Sequence, residues 1–265
     1  MSIAQPEAVR AIPALTGSPA EVRQIGLSDI RAALHAGFED FKAIPTQLVF
    51  LSLIYPIAGL IAARTVTADL LPLLFPLVAG LALVGPVMAV GLYELSRRRE
   101  AGQSVSWLNA FDVFRSPGLP GIVGLGLALL VIFVLWIASA WAIYAGTIGG
   151  AVPGSIGDFI DIVRDAPGRG TLFVVGNLIG FGFAVLVLAI SVVSFPMMLD
   201  RACSPMVAMA TSLRLVRRNP ATMAVWGLTV AVLLLLGSLP LFVGLAVVMP
   251  ILGHATWHLY RRAVV

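Results

Sequence analysis

The sequence predicts an all-α polytopic membrane bundle of about six transmembrane helices. Three amphipathic helices in the cytoplasmic interface accompany them, and the whole reads as a threefold internal repeat. Three observations predict this class. Of 265 residues, 59% are hydrophobic and 11% charged, with a mean hydropathy of +1.00, where a soluble domain carries about 25% charge. Uncharged apolar runs of the length needed to cross a bilayer, about 18 residues or more, recur along the chain. The arginines gather beside those runs, heavily on alternate connections.

The uncharged runs are 46–63, 70–93, 119–147 and 171–199. A further charge-free run, 221–253, is too long for one span of about 20 residues. Turn residues in "LLGSLP" at 235–240 divide it into helices at 220–236 and 239–260. Six spans follow; five, or four with a re-entrant hairpin in the last third, are the alternatives. Residues 1–27 read as a disordered tail ahead of a single membrane domain, 28–265. That tail lacks the continuous apolar core of a cleavable signal peptide, so the first span is expected to target the chain.

Charge sets the expected orientation. Fourteen basic residues flank one face of the six-span scheme and three (Arg64, Arg164, Arg169) the other. The positive-inside rule places both termini in the cytoplasm, as an even span count requires. The net charge of +4 and pI near 9.8 are thereby assigned to membrane orientation and anionic lipid headgroups, with no nucleic-acid partner expected. Other inner-membrane proteins complete the expected partners.

Each odd-numbered span follows a similar segment: "DIRAALHAGFEDFKAIP", "WLNAFDVFRSP" and "MVAMATSLRLVRRNP", ending at Pro45, Pro117 and Pro220. Apolar residues recur at helical spacing in each: Ile30, Leu34, Phe38 and Phe41; Trp107, Phe111 and Phe114; Met206, Ala210, Leu213 and Val216. Ser28 and Ser204 read as N-caps, the second followed by Pro205. Basic polar faces suit helices lying flat in a membrane interface. A residue before proline is pushed out of helical geometry, so each helix should stop there and turn into its span. Each even-numbered span carries an internal proline (Pro86, Pro196, Pro250) followed by polar groups.

Those polar groups are the candidate functional residues: Glu94, Arg97, Asp200, Arg201, His254 and His258, all expected at cytoplasmic span ends. His254 and His258 stand four apart, on one helix face. Hydrogen bonding to neighbouring helices is the favoured role, with Glu94, Ser96 or Asp200 as partners and Arg97 and Arg201 keeping the carboxylates ionised. Metal or haem ligation and proton handling are the alternatives, since two ligands from one helix still need a third or fourth. Cys203 is the single cysteine, so no intramolecular disulfide is expected. Asn177, between Gly176 and Gly180, is expected to bond a neighbouring helix. No phosphate loop, zinc-protease helix or dinucleotide fingerprint is present. With His35 on the first interfacial helix, no nucleophile–base pair is expected. No catalytic, cofactor or metal-binding residue is assigned.

The stretches "GPVMAVGLYELSRRREAG" at 85–102, "SFPMMLDR" at 194–201 and "LPLFVGLAVVMPILGHATWHLYRR" at 239–262 resemble the bacterial integral-membrane family DUF2189. The resemblance runs from about Ile25 to the C-terminus and implies a multi-pass bacterial inner-membrane protein. It brings no activity, substrate or catalytic residue with it. Members often carry a label of likeness to cytochrome c oxidase subunit I, whose haem and copper need more histidines than the three here. The expected function is non-enzymatic, organising or assisting other membrane components. A small-solute or ion transporter is the first alternative, and a haem- or metal-binding accessory of respiration the second.

Overall fold

A computed structural model describes residues 18–46, 71–77, 85–87, 89–240 and 242–265. Nearly all of the expected first span, part of the second, and residues 1–17 lie outside the described residues. Those described form helices joined by short turns, with one isolated β-bridge, Val22 with Val264.

Helix α1 spans Leu27–Ala43. Its expected cap, Ser28, lies inside the helix instead. The Asp29 carboxylate reaches back to accept the Gly26 N–H at 2.9 Å, so the helix opens two residues earlier. The helix stops at Ala43, and Ile44 has ψ 83. After a single 3-10 turn at Leu71–Leu73 come α2 (Val90–Glu100) and a longer 3-10 helix, Trp107–Arg115, which ends at Ser116 with ψ 135. Helices α3 (Leu119–Ile148), α4 (Ile156–Asp165) and α5 (Arg169–Ser191) follow. A break at Val192–Val193 leads into α6 (Ser194–Arg201), where the Pro196 nitrogen has no hydrogen to give the Val192 carbonyl. Helix α7 is Pro205–Arg218, capped by the Ser204 hydroxyl, which accepts the Val207 N–H at 3.3 Å. Asn219 then leaves helical geometry with φ −130 and ψ 51 before Pro220 opens α8 (Pro220–Ser238). All three residues before a proline stop their helix, as the steric clash with the proline ring requires.

Three described helices are long and apolar enough to cross a membrane: α3, the kinked pair Arg169–Arg201, and α8. Their sides expose rows of large apolar groups, Val123, Leu127 and Leu130 on α3, Phe173, Val174 and Phe181 on α5, Leu228, Val232 and Leu235 on α8. Such rows are solvated by lipid, since water would penalise a continuous patch of this kind. Residues 239–240 and 242–244 lie in turns, slightly later than expected, with Phe242 at φ +65. The last helix, α9 (Leu245–Ala263), continues through Pro250 and buries its second half inside the bundle. It is therefore not one of the three plain apolar crossings.

The flat-helix expectation needs one correction. On the 3-10 helix the Trp107, Phe111 and Phe114 rings are exposed and meet one another edge-on or stacked, as an interfacial stripe should. On α1 the buried line is Ile30, Ala33, Gly37 and Asp40, while Phe38 is exposed. Small side chains let α1 press against another helix, so α9 covers this line where lipid was expected.

The packing runs round one end of the bundle. Helix α2 packs on the 3-10 helix, α6 on α7, and α9 on α1, while α2, α6 and α9 meet one another. Residues 18–26, expected within a disordered tail, are fixed along this end. Arg23 N–H donates to Ala263 C=O at 2.8 Å, Val265 N–H to Glu21 C=O at 3.0 Å, and Ile25 N–H to the Asn219 amide oxygen at 2.9 Å. Val22 and Ile25 are both buried there. Satisfied backbone donors and two buried side chains outweigh the entropy of ordering this short segment.

Candidate functional site

The contact of α1 with α9 sets the geometry of the polar end. A Cβ on Gly37 would lie 2.5 Å from the Ala255 nitrogen, so only glycine permits this approach. One turn further along α1, the same face presents Asp40 to α9 and α2. The Asp40 side chain is 3% exposed, and it would be costly to bury alone.

It is not alone. Its Oδ2 accepts from Ser96 Oγ at 2.6 Å and from His258 Nε2 at 2.8 Å, and its Oδ1 pairs with the Arg99 guanidinium. Ser96 Oγ also lies 2.7 Å from His254 Nδ1. A hydroxyl has one proton and here gives it to the carboxylate, so His254 Nδ1–H donates to Ser96 Oγ. Asp40 and Arg99 cancel in charge. Burial by itself would raise the Asp40 carboxyl. Hydrogen bonds from His258, Ser96 and Arg99 outweigh it and hold the group at about 2, against an ordinary 3.8.

Ser96 and His254 thus form a hydroxyl–imidazole pair. Its polarity is the reverse of a nucleophile and its base. The carboxylate holds the hydroxyl instead of the far ring nitrogen, and the ring donates where a base must accept. Ser96 and His254 are both fully buried. What this arrangement does chemically is fix three helices against one another.

Two further groups share this end. Glu94, 2% exposed, accepts from Arg97 at 2.8 and 2.9 Å and from Arg98 at 2.7 Å; Arg98 also pairs with Asp112 at 2.9 Å. Asp200 accepts the Tyr260 hydroxyl at 2.6 Å and lies 3.4 Å from Arg261. Arg201 donates to that hydroxyl at 3.0 Å and to the Val265 carbonyl at 2.7 Å, and is a weak 3.9 Å from its sequence neighbour Asp200. Glu100 accepts from Trp257 Nε1 at 2.9 Å and from Arg261 at 3.0 Å. A polar cavity of about 380 Å³ has Glu94, Arg97, Arg98, Asp112 and Asp200 among its lining residues.

The six candidate residues therefore share one end of the bundle but divide into three groups. His254 meets Ser96, one of its expected partners; neither histidine is bonded to Glu94 or Asp200. Asp40, Arg99, Glu100 and Tyr260 were not singled out from the sequence. The signal for Asp40 was present, a buried-face spacing of Ala33, Gly37 and Asp40 with small residues ahead of the acid. Asn177, expected to bond a neighbouring helix, is exposed and donates to Phe173 of its own helix at 2.7 Å. The small face beside it receives an indole instead, for a Cβ on Gly180 would meet the Trp136 ring at 2.7 Å. That ring lines a second, largely apolar cleft of about 520 Å³ with Tyr144, Phe159, Phe173 and Phe181.

Residues 74–200 match the family model described as predicted integral membrane protein (DUF2189), a shorter stretch than the resemblance read from the motifs. It takes in Ser96 and Arg99 of the buried network and leaves Asp40, His254 and His258 outside. No curated protein and no solved structure matches the chain.

Proposed function

We propose, from the premise that residues 74–200 carry the sequence of this predicted integral membrane family, that the protein is a non-enzymatic scaffold of the bacterial inner membrane. It holds both termini in the cytoplasm and organises membrane components through helix and lipid contacts. The observation that carries this reading is the closed Asp40 network. Its serine, its carboxylate and His258 Nε2 are bonded to one another. His254 gives Nδ1 to Ser96 while its Nε2 is buried without a partner among the described residues, and His254 and Asp40 have side chains 0% and 3% exposed. Nothing about the group leaves a reactive atom turned toward an incoming molecule. Its cost and its hydrogen bonds instead favour one arrangement of α1, α2 and α9, the rigid platform that a scaffold requires.

Purification from native membranes under mild detergent, with identification of bound proteins and small molecules and a visible absorbance spectrum, tests this. The expected result is co-purifying membrane proteins and lipid without a visible band. Stoichiometric haem or metal would replace the reading with a respiratory accessory. Solute uptake by proteoliposomes containing only this protein would replace it with a transporter.

A further inference from the structure

Arginines at the polar end are treated unequally. Arg97, Arg98, Arg99, Arg115, Arg201, Arg261 and Arg262 all lie within 4 Å of a carboxylate. Six arginines among the described residues make no such pair: Arg31 lies on α1 and Arg169 on α5, and the other four, Arg23, Arg214, Arg217 and Arg218, are all exposed. They are also together. Arg214, Arg217 and Arg218 stand at i, i+3 and i+4 of α7, hence on one face. The extended segment brings Arg23 to the same place, because the Asn219 amide donates to the Arg23 carbonyl at 3.0 Å. We propose that these four arginines form a binding site for the phosphate headgroup of an anionic phospholipid whose acyl chains lie along α8.

Magnitude and position both support a ligand. The carboxyl end of α7 offers roughly half a negative charge, enough to favour one cation and far short of four. Arg214 also donates to the Pro19 and Ala20 carbonyls at 3.1 and 3.3 Å, which fixes its guanidinium without neutralising it. Guanidinium groups bind phosphate oxygens through paired N–H donors, and several around one headgroup match its charge. Position selects a lipid. Asn219 and Pro220 turn the chain directly from the basic cluster into α8, a membrane-crossing helix by length and composition. Its Val225, Leu228, Val232 and Leu235 recur every three or four residues and are exposed. A headgroup held at Arg217 and Arg218 has an apolar lane for its chains on that helix.

The inference rests on the membrane reading above but concerns one site. Native mass spectrometry of the detergent-purified full chain, titrated with phosphatidylglycerol, cardiolipin or phosphatidylcholine, tests it. The variant Arg23→Gln/Arg217→Gln/Arg218→Gln removes side chains that hold no structural bond, so its folding should survive; Arg164→Gln/Arg169→Gln is the charge-loss control. Anionic lipid should bind the wild type and the control about a hundredfold more tightly than the triple variant, with phosphatidylcholine weak throughout. Equal retention by the triple variant, or equal binding of phosphatidylcholine, would overturn the site. Displacement of lipid by millimolar inorganic phosphate would assign the cluster to a soluble phosphate and overturn the lipid assignment. If the triple variant does not fold, Arg218→Gln alone must show about a fivefold loss, and no loss overturns the proposal. Native-membrane co-purification judges the scaffold role separately, so either idea can fail alone.

Discussion

Asp40 and His258 are 218 positions apart in the chain and 2.8 Å apart in space. Their contact joins the first described helix to the last, and it makes Asp40 the most informative residue to change. Asp40→Asn keeps the shape but gives Arg99 and His258 an uncharged partner. Arg99, with a side chain 41% exposed, can turn to water, which places the cost at the lower end for a broken buried pair, about 2–3 kcal/mol. The melting temperature in detergent should fall by about 5–10 °C. An unchanged melting curve would remove the network from the stability of the fold.

The same carboxylate fixes a pH dependence. Its folded-state value, about 2, lies below the ordinary 3.8, so its stabilisation is complete above the ordinary value and is lost as pH falls through about 4 toward 2. The gap in melting temperature between wild type and Asp40→Asn should therefore be constant above pH 5 and shrink below it. Melting curves at half-unit steps between pH 6 and pH 2.5 read this directly. A gap independent of pH would mean that the carboxylate is not held by its partners.

Gly37 tests the contact that delivers Asp40. Gly37→Val places a Cβ against the Ala255 backbone, which cannot move aside as a flexible side chain can. Loss of about 3 kcal/mol is expected, with α1 becoming susceptible to limited proteolysis. Gly26→Ala is the control, since its Cβ would meet only the Ser28 hydroxyl at 3.9 Å. Similar behaviour of the two variants would contradict a close α1–α9 packing.

Replacing both His254 and His258 with Gln should lower stability while metal content stays at zero before and after. The reason lies in their engaged nitrogens, His254 Nδ1 with Ser96 and His258 Nε2 with Asp40. Plasma mass spectrometry of both proteins provides the measurement. Haem, copper or zinc at one equivalent in the wild type, lost in the double variant, would falsify this role.

Orientation is open to labelling. In a Cys203→Ser background, a cysteine at Ser155 should react with an impermeant maleimide from outside intact cells, and one at Ser104 only after lysis. Both positions are exposed, so access depends on sidedness alone. The reverse pattern would invert the topology.

Local features were readable from the sequence where local physics decides them. Ser204 caps α7 because its hydroxyl and the N–H it accepts are three residues apart, and Ile44, Ser116 and Asn219 stop their helices because a proline follows. Ser28 failed as a cap because Asp29, one residue on, competes for the same turn. The nine residues from Trp107 to Arg115 form a 3-10 helix, and a stripe this short does not separate a repeat of 3.0 from one of 3.6. Asp40 does not stand out in the sequence, because a charge on an amphipathic helix normally belongs to its polar face. Its burial depends on Ser96 and His258, far away in the chain, and spacing alone cannot encode which distant polar groups will meet. Arg99 and Tyr260 were missed for the same reason, each looking like an interfacial anchor until its partner is known.

The closure of α1 against α9 also has a time order. At roughly 5–20 residues per second, ribosomal synthesis delivers His258 about ten to forty seconds after Asp40. For that interval the small-residue face of α1 lacks the helix it packs on and the carboxylate has only Ser96 and Arg99 to meet, while α3, α5 and α8 can already cross the bilayer. The first described helix is thus among the last to dock, a slow, long-range closure of high contact order. A ribosome that stalls late, or a protease that trims the end of α9, would leave its mark at the opposite end of the chain, on a helix already made.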